Sequence, residues 1–270
     1  MSGTKKSIGA LTVVLGVFGG AVLLGTGATA AVAGMHRIGS GSGSAPGALN
    51  AEVQGVRSLD LEVSGAEMTV EFSGDATEAK LQIDGGSSDG WSLKRDGAEL
   101  KVRGPHDGFD WFRPGWMNGD QRATLVLPDA LSGIDADFTL QAGELTVGGD
   151  FGQLGVDVNA GSLRMDGTAR ELDAELNAGR ADIDLNEVRK AEFTVNAGRI
   201  VASLDTVPSS VEIDVAAGAL DLTVPDEEYD IRQDVTAGSL DSGLQQSSNS
   251  SNRITASVSA GSVRLHPAAD

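Results

Sequence analysis

The sequence predicts an all-β protein, a parallel β-solenoid with rungs of about 18–20 residues that is preceded by one N-terminal transmembrane helix. Three observations lead to this prediction. The dipeptide Ala-Gly recurs at nearly constant spacing, apolar residues alternate on both sides of each copy, and one long uncharged segment lies near the N-terminus. An antiparallel β-sandwich is the alternative fold.

The N-terminal segment has the length and flanks of a signal anchor. Residues 8–34 contain no charged side chain, and Lys5 and Lys6 precede them. About 20 apolar residues cross a bilayer, whereas the apolar region of a cleavable signal peptide spans about 7–15. Because lysines favour the cytoplasmic side, residues 1–7 are predicted to be cytoplasmic and the C-terminal domain extracytoplasmic. The alternative is cleavage at a small-residue site within residues 28–33, which would give a secreted protein.

Charge and composition limit the classes of partner. The net charge is −19, and residues 1–37 carry +3 while the remainder carries −22. Such a field repels nucleic acid, so no nucleic-acid partner is expected, and it suits cations or basic partners. The absence of cysteine removes disulfides, thiolate metal sites and a lipid-modified cysteine. Residues 35–49 are rich in Gly and Ser and are predicted to be a flexible linker.

The Ala-Gly repeat predicts that residues 131–266 form regular solenoid rungs. Apolar residues stand three before and two after every repeat glycine, and four after every one except Gly238, and Ala always stands one before. One such unit cannot bury its apolar face alone, whereas stacked units can. The predicted structural corners are Gly143, Gly161, Gly179, Gly198, Gly218, Gly238 and Gly261, at intervals of 18, 18, 19, 20, 20 and 23 residues.

The position of each corner follows from the strand period. Alternate residues of a strand share one face, so the residues three and one before the glycine, and two and four after it, are predicted to point inward. The step of three across the glycine requires a turn there, and glycine tolerates positive φ. A polar insertion at residues 243–252 accounts for the longest interval and is predicted to be a loop on the last rung.

Polar residues two before each glycine allow two interpretations. Asn159, Asn177 and Asn196 occupy this position in three successive repeats. Their amides are predicted either to form a side-chain ladder along the corner, as in stacked β structures, or to point into solvent and favour the turn.

The first part of the domain, residues 50–130, is predicted to be an irregular opening β section, as terminal repeats often are. Gly65 and Ala66 look like a corner with Gly and Ala exchanged. The same holds for Gly97 and Ala98, although Asp-Gly there also fits a β-hairpin.

The chain resembles a known bacterial family. The run ATLVLP at residues 123–128, then IDADFTLQAGEL at residues 134–145, then the Ala-Gly strands are similar to those of the putative-adhesin β-strand-repeat family. The resemblance covers roughly residues 50–266. It implies a domain of unknown function, often with an N-terminal membrane span and sometimes in an envelope-stress system, and it supplies no catalytic residues.

Acidic side chains occupy outward positions of the predicted rungs. A solvated acidic face is the favoured interpretation, because two carboxylates supply too few of the six to eight oxygens that Ca²⁺ takes. Weak Ca²⁺ binding and paired-carboxylate catalysis are the alternatives. Sequential stacking predicts three acidic pairs, Asp157 with Glu175, Asp214 with Asp234, and Asp221 with Asp241.

One loop is a candidate binding site. Residues 104–119 contain Phe109, Trp111, Phe112 and Trp116 among Gly and Pro residues. Clustered aromatic side chains recognise glycans or proteins, and they also cap open solenoid ends.

No catalytic or cofactor-binding pattern was found. The three histidines are far apart and show no zinc spacing, and no nucleotide-binding or hydrolase motif occurs in a suitable context. We therefore expect a non-enzymatic, membrane-tethered interaction or scaffold domain of the bacterial envelope, without cofactor or metal, whose partner is an envelope protein or a cell-wall glycan. The alternatives are an accessory protein of an envelope-stress sensor and a carbohydrate-active β-helix enzyme.

Overall fold

The structure is a computed structural model that describes residues 47–85, 88–105 and 121–269. The predicted segment 8–34 and the aromatic side chains of residues 109–116 lie outside these ranges. Within the ranges, no helix is long and apolar enough to cross a bilayer.

Strands make up most of the described chain. They are β1 (Gly47–Ala51), β2 (Ser58–Ser73), β3 (Ala79–Asp84), β4 (Ser92–Asp96), β5 (Glu99–Arg103), β6 (Arg122–Pro128), β7 (Ile134–Val158), β8 (Ser162–Thr168), β9 (Glu171–Leu176), β10 (Arg180–Asn186), β11 (Lys190–Val195), β12 (Arg199–Leu204), β13 (Ser210–Val215), β14 (Ala219–Val224), β15 (Glu228–Val235), β16 (Ser239–Ser242), β17 (Gln245–Gln246), β18 (Arg253–Val258) and β19 (Ser262–Pro267). A short 3-10 turn, Asp129–Leu131, precedes β7.

The strands stack as parallel rungs, which confirms the solenoid-like all-β prediction and excludes the antiparallel sandwich. Each rung consists of a strand before its corner, the corner, and a strand after it. We call the two stacks the leading face and the trailing face. On the leading face β7 pairs with β9, β9 with β11, and β11 with β13, all parallel and in register. The long strand β7 contributes to both faces. On the trailing face its residues 144–150 pair with β8, and the stack continues in parallel through β10, β12 and β14.

The N-terminal end of the solenoid contains the antiparallel strands. The long strand β2 is the first complete rung, and Ala66 lies in register with Gly143 of the next. On the other edge of β2, β5 and β6 pair in parallel with its two halves. Strands β3 and β1 extend the sheet antiparallel from β6. Gly97 lies in the β4–β5 hairpin, so the hairpin interpretation of Asp-Gly is correct and the exchanged-corner interpretation holds only at Gly65.

The core lies between the two faces and is aliphatic along most of its length. The residues three before and two after the corner are buried in every rung except the Gly238 rung, for example Leu176 and Ala181 around Gly179. The alanines one before the corner glycines, such as Ala178, are exposed, so their predicted inward orientation is wrong. Four consecutive residues that do not point inward, Asn177 to Arg180, separate the buried Leu176 from the buried Ala181.

The last two rungs stack in inverted order. The Gly261 rung (β18 and β19) pairs directly with β13 and β14 of the Gly218 rung. The Gly238 rung (β15 and β16), which comes earlier in sequence, pairs with the outer side of β18 and β19. Residues 243–252 therefore connect the outermost rung back to an inner one, and β17 within them pairs with β15 of the outermost rung.

Two causes favour this order. The Gly238 rung has the fewest inward apolar residues, with an exposed Gln233 where other rungs carry apolar residues. It therefore leaves the least apolar surface exposed to solvent when it lies at the end of the stack. In addition, Arg264 lies in register between Asp221 and Asp241. The predicted stacking of those two carboxylates is wrong, because the inversion replaces two like-charge neighbours by opposite-charge ones.

Candidate interaction surface

The corner glycines form one column along the edge of the solenoid. A Cβ added at any of these glycines would come too close to the adjacent rung. At Gly179 it would lie 2.0 Å from the carbonyl oxygen of Gly161, and at Gly198 it would lie 2.3 Å from the carbonyl oxygen of Gly179. These carbonyl groups accept hydrogen bonds from the next rung, since the Arg199 N–H donates to Gly179 O at 3.0 Å. All seven predicted corner glycines lie in this column, and glycine is needed there mainly because stacked backbones approach too closely for a side chain.

An asparagine ladder runs beside the glycine column. Asn177 Nδ2 donates to Asn159 Oδ1 at 3.3 Å, and Asn196 Nδ2 donates to Asn177 Oδ1 at 2.8 Å. The ladder is therefore present over these three rungs, and it ends where Ala216 occupies the same position. It ties successive corners together through side chains as well as backbone.

Substituting the middle member of the ladder tests its contribution. We expect Asn177→Ala to lower the free energy of unfolding by about 1–2 kcal/mol, because two amide hydrogen bonds are lost. Asn186→Ala, at an exposed strand end, is the matched control and should change it by less than about 0.5 kcal/mol. Urea unfolding measures both, and equal small effects would show that solvent replaces the ladder at no cost.

The leading face carries rows of stacked carboxylates. Asp157 lies in register with Glu175, as predicted, and Asp173, Glu192 and Glu212 stack across three successive rungs. The predicted pair of Asp214 with Asp234 is wrong, because Ser257 lies between them. These rows form the central part of an acidic surface that is fixed by the rung spacing of about 4.8 Å.

Carboxyl groups in the acidic rows have raised pKa values. Burial, followed by the charge of Glu175, raises the pKa of Asp173, and burial with the charges of Asp173 and Glu212 raises that of Glu192. Burial and then Glu175 raise the pKa of Asp157, against a hydrogen bond from Asn177 that lowers it. On the trailing face the pKa of Asp182 shifts in the opposite direction, because a hydrogen bond from Arg180 lowers it.

The raised pKa values predict a pH response. A folded state that binds protons more tightly than the unfolded chain gains stability as the pH falls through the raised pKa and loses it as the pH rises through it. We expect the contribution of these groups to increase as the pH falls from 7 through the raised pKa values, and to be complete only below the ordinary values of 3.8 for Asp and 4.5 for Glu. Asp173→Asn with Glu192→Gln should flatten this increase and raise stability at pH 7 by about 0.2–1 kcal/mol.

Urea unfolding at low salt from pH 7 to about pH 3.5 checks this response, because that range reaches below the ordinary pKa values and because salt screens the repulsion. The control is Asp182→Asn, which removes a carboxylate whose pKa is lowered by a hydrogen bond from Arg180. Its contribution is present at pH 7 and is lost as the pH falls through and below the ordinary value of 3.8. An unchanged pH profile in the double variant would contradict the account of the acidic rows.

The connection between β5 and β6 differs from the corners of the rungs. Between β5 and β6, where other rungs turn at Ala-Gly, the chain leaves at Gly104 and returns at Gln121. Both ends are held on the first rung, because Gly104 N donates to Glu62 O at 2.8 Å and Glu67 N donates to Gln121 O at 3.0 Å. The intervening residues 106–120 include the four aromatic candidates, which the described ranges do not cover.

A shallow groove lies beside these ends. It has a volume of about 390 Å³ and is lined by Gly65, Glu67, Gln121 and Gly143, with Ala66, Glu144 and Ser162 completing it. The third tryptophan, Trp91, is 6% exposed, belongs to the core at this end of the solenoid, and lies against Gly104. The two ends of the connection between β5 and β6, which we call the inserted corner, therefore lie against a packed end of the solenoid.

A metal site would need several carboxylates or imidazoles close together in residues 47–85, 88–105 or 121–269. No group of three or more His, Asp or Glu side chains in these ranges is arranged to hold a metal ion. The side-chain oxygen Asp157 Oδ1 and the Trp91 Nε1 are buried without a hydrogen-bond partner among the same residues.

Solved structures of low sequence identity match most of the length of the chain. A putative cell adhesion protein from Clostridium sporogenes is 11% identical, with 83% of this chain and 99% of that chain covered and a TM-score of 0.38. A putative adhesin from Bacteroides fragilis is 12% identical, with 83% and 98% covered and a TM-score of 0.40. A putative lipid binding protein from Parabacteroides distasonis is 13% identical, with 82% and 97% covered and a TM-score of 0.30. Similarity at this level does not transfer a function.

The family assignment depends on the sequence profile. No curated protein sequence matches the chain significantly. The profile described as Toastrack DUF4097 matches residues 50–266, which is the whole of the rung region and the N-terminal strands that close it. This match confirms the resemblance to a β-strand-repeat family of adhesin-like proteins, and the chain belongs to the Toastrack DUF4097 family.

Proposed function

We propose that the chain is a non-enzymatic interaction module of the bacterial envelope, an adhesin-like scaffold that residues 8–34 hold at the membrane and that extends outside the cytoplasm. The partner is a cell-wall glycan or an envelope protein. The relatives described above are named as adhesion or lipid-binding proteins and none as an enzyme.

The inserted corner between Gly104 and Gln121 is the observation that carries this proposal. Recognition residues commonly lie on loops that a rigid scaffold positions. Here the scaffold is the stacked core, and both ends of the insertion are hydrogen-bonded to the first rung. Two of the three tryptophans of the chain lie within the insertion, and buried aromatic anchors dominate the energetics of most binding surfaces.

Substituting the inserted aromatic residues tests binding against capping. We expect Trp111→Ala with Trp116→Ala to weaken co-sedimentation of the full chain with purified peptidoglycan at least about tenfold, which corresponds to about 1.4 kcal/mol, and to leave the melting temperature unchanged. Trp91→Phe is the matched control, because Trp91 packs in the core and its loss should affect melting rather than binding. A large stability loss with unchanged binding in the double variant would show that the insertion caps the fold.

Membrane topology is tested separately. In intact cells the full chain should sediment with membranes, and added protease should digest the β domain. Complete release of the domain into the medium would instead show cleavage within residues 28–33, and digestion only after cell lysis would contradict an extracytoplasmic location.

A further inference from the structure

The C-terminal rung is held on both sides by other rungs. On its inner side Ser259 N donates to Val215 O at 2.9 Å, and Ser262 N donates to Gly218 O at 3.0 Å. On its outer side Thr236 N donates to Val258 O at 2.9 Å, and Ser239 N donates to Gly261 O at 3.0 Å. Among the described strands, the Gly238 rung pairs with β17, β18 and β19 but not with β13 or β14.

Side chains of the C-terminal rung also contact both of its neighbours, the Gly218 rung on the inner side and the Gly238 rung on the outer side. Arg264 Nη1 contacts Asp221 Oδ1 on its inner side at 3.1 Å. Arg253 Nε contacts Asp230 Oδ2 of the outer rung at 3.4 Å, and Arg232 Nη2 contacts the same oxygen at 2.8 Å. The C-terminal rung therefore contributes one arginine to an acid on each neighbour. Asp230 also pairs with Arg232 of its own rung, and Asp221 also pairs with Arg199 at 3.0 Å.

The connection between the two rungs folds over the start of the outer strand. Its strand β17 pairs with Glu228 and Tyr229 of β15. Ser250 Oγ donates to Glu228 O at 2.7 Å, and Asp230 N donates to Asn252 O at 2.8 Å. Leu244 of this connection is buried, with 6% of its surface exposed. The outer rung is thus fastened by the segment that leads into the inner one.

From this arrangement we infer that residues 253–267 act as a latch that closes the C-terminal end of the solenoid. In a solenoid each rung contacts only its neighbours, so loss of an inner rung releases everything outside it. Opening the latch therefore releases the sequence-earlier rung, residues 228–242, together with residues 253–267. Disturbing the outer rung alone leaves the latch in place and the end of the solenoid covered.

Matched glycine variants of the full chain test the latch by hydrogen exchange. The Cβ of Gly261→Ala would lie 2.3 Å from Gly218 O, whereas that of Gly238→Ala would lie 2.2 Å from Gly261 O. We expect Gly261→Ala to speed amide exchange at least about tenfold in both 228–242 and 253–267, the factor that corresponds to about 1.4 kcal/mol. Gly238→Ala should speed exchange in 228–242 alone.

A milder pair of variants keeps the test decisive if Gly261→Ala fails to fold. Arg264→Ala removes the ion pair to Asp221 on the inner side of the latch, and we expect roughly 1.5- to 5-fold faster exchange in both segments. Arg232→Ala removes a pair within the outer rung, and exchange should increase in 228–242 alone. Release of 253–267 without 228–242 in the latch variants, or of both segments in the outer-rung variants, would overturn the latch.

Discussion

Replacing Gly179 by alanine is expected to lower the free energy of unfolding by about 3–5 kcal/mol. Gly179 lies in the middle of the stack with a φ of 117°, a conformation that residues with a side chain rarely adopt. The added Cβ would also lie 2.0 Å from the carbonyl oxygen of Gly161, and backbone on both sides of that contact is fixed by inter-rung hydrogen bonds. The penalty therefore combines backbone strain with overpacking.

The neighbouring alanine provides the control. Ala178 is exposed one residue earlier in the same turn, so Ala178→Ser should change the free energy of unfolding by less than about 0.5 kcal/mol. Denaturant unfolding of both variants separates a requirement at the glycine from general sensitivity of the corner. A loss below about 1 kcal/mol for Gly179→Ala would show that the rungs can separate locally, which contradicts close stacking of the corners.

Removing the Phe193 side chain is the second large effect, and we expect Phe193→Ala to cost about 3–5 kcal/mol. Phe193 is fully buried in β11, and its register partners on the adjacent rungs are Ala174 and Ile213. A large residue beside an alanine fills the space that the smaller one leaves, so truncation opens a cavity between fixed strands rather than one that neighbours can close.

A graded series checks this explanation. Phe193→Leu should cost clearly less than Phe193→Ala, because most of the cavity is filled again. Thr194→Ala, on the outward side of the same strand, should change stability by less than about 1 kcal/mol. Equal losses for Phe193→Leu and Phe193→Ala in thermal unfolding would indicate that ring shape, rather than cavity volume, determines the cost.

Local periodicity was sufficient to predict the rungs and their corners. The columns around the glycines identify inward positions such as Leu176 and Ile183, because the strand period and the need for a turn act within one repeat. The predicted inward orientation of Ala178 is wrong, because the alternation stops at Leu176 and resumes only at Ala181. Sequence alone does not show how many residues a corner takes up.

The order of the last two rungs could not be deduced from spacing. Rung order is decided by which neighbours stack most favourably, and this is a property of the assembled solenoid. A signal was nevertheless present: Gln233 and Ser242 are polar where other repeats are apolar, which is typical of a terminal rung. Asp221 and Asp241 would also have repelled each other in sequential order, whereas Arg264 between them attracts both.

The candidate site was only partly accessible to sequence reasoning. Composition pointed to the aromatic residues between Gly104 and Gln121, but not to the position of Gly104 and Gln121 themselves beside the first rung. That location depends on the parallel pairing of β5 and β6 with the two halves of β2, contacts between segments about 40–55 residues apart in sequence. Acidic pairs such as Asp157 and Glu175 were predictable because they lie one repeat apart.

Disulfide trapping in this cysteine-free chain tests the stacking order most directly. Glu212 and Thr255 are register partners on adjacent rungs, so their Cα atoms lie within the range of about 4.4–6.8 Å that a disulfide spans. Glu212 and Arg232 are separated by the intervening rung, which places them about 9–10 Å apart, beyond that range. Under mild oxidation the account predicts rapid cross-linking of Glu212→Cys with Thr255→Cys and none of Glu212→Cys with Arg232→Cys. Cross-linking of the second pair but not the first would show that the rungs stack in sequence order and would contradict it.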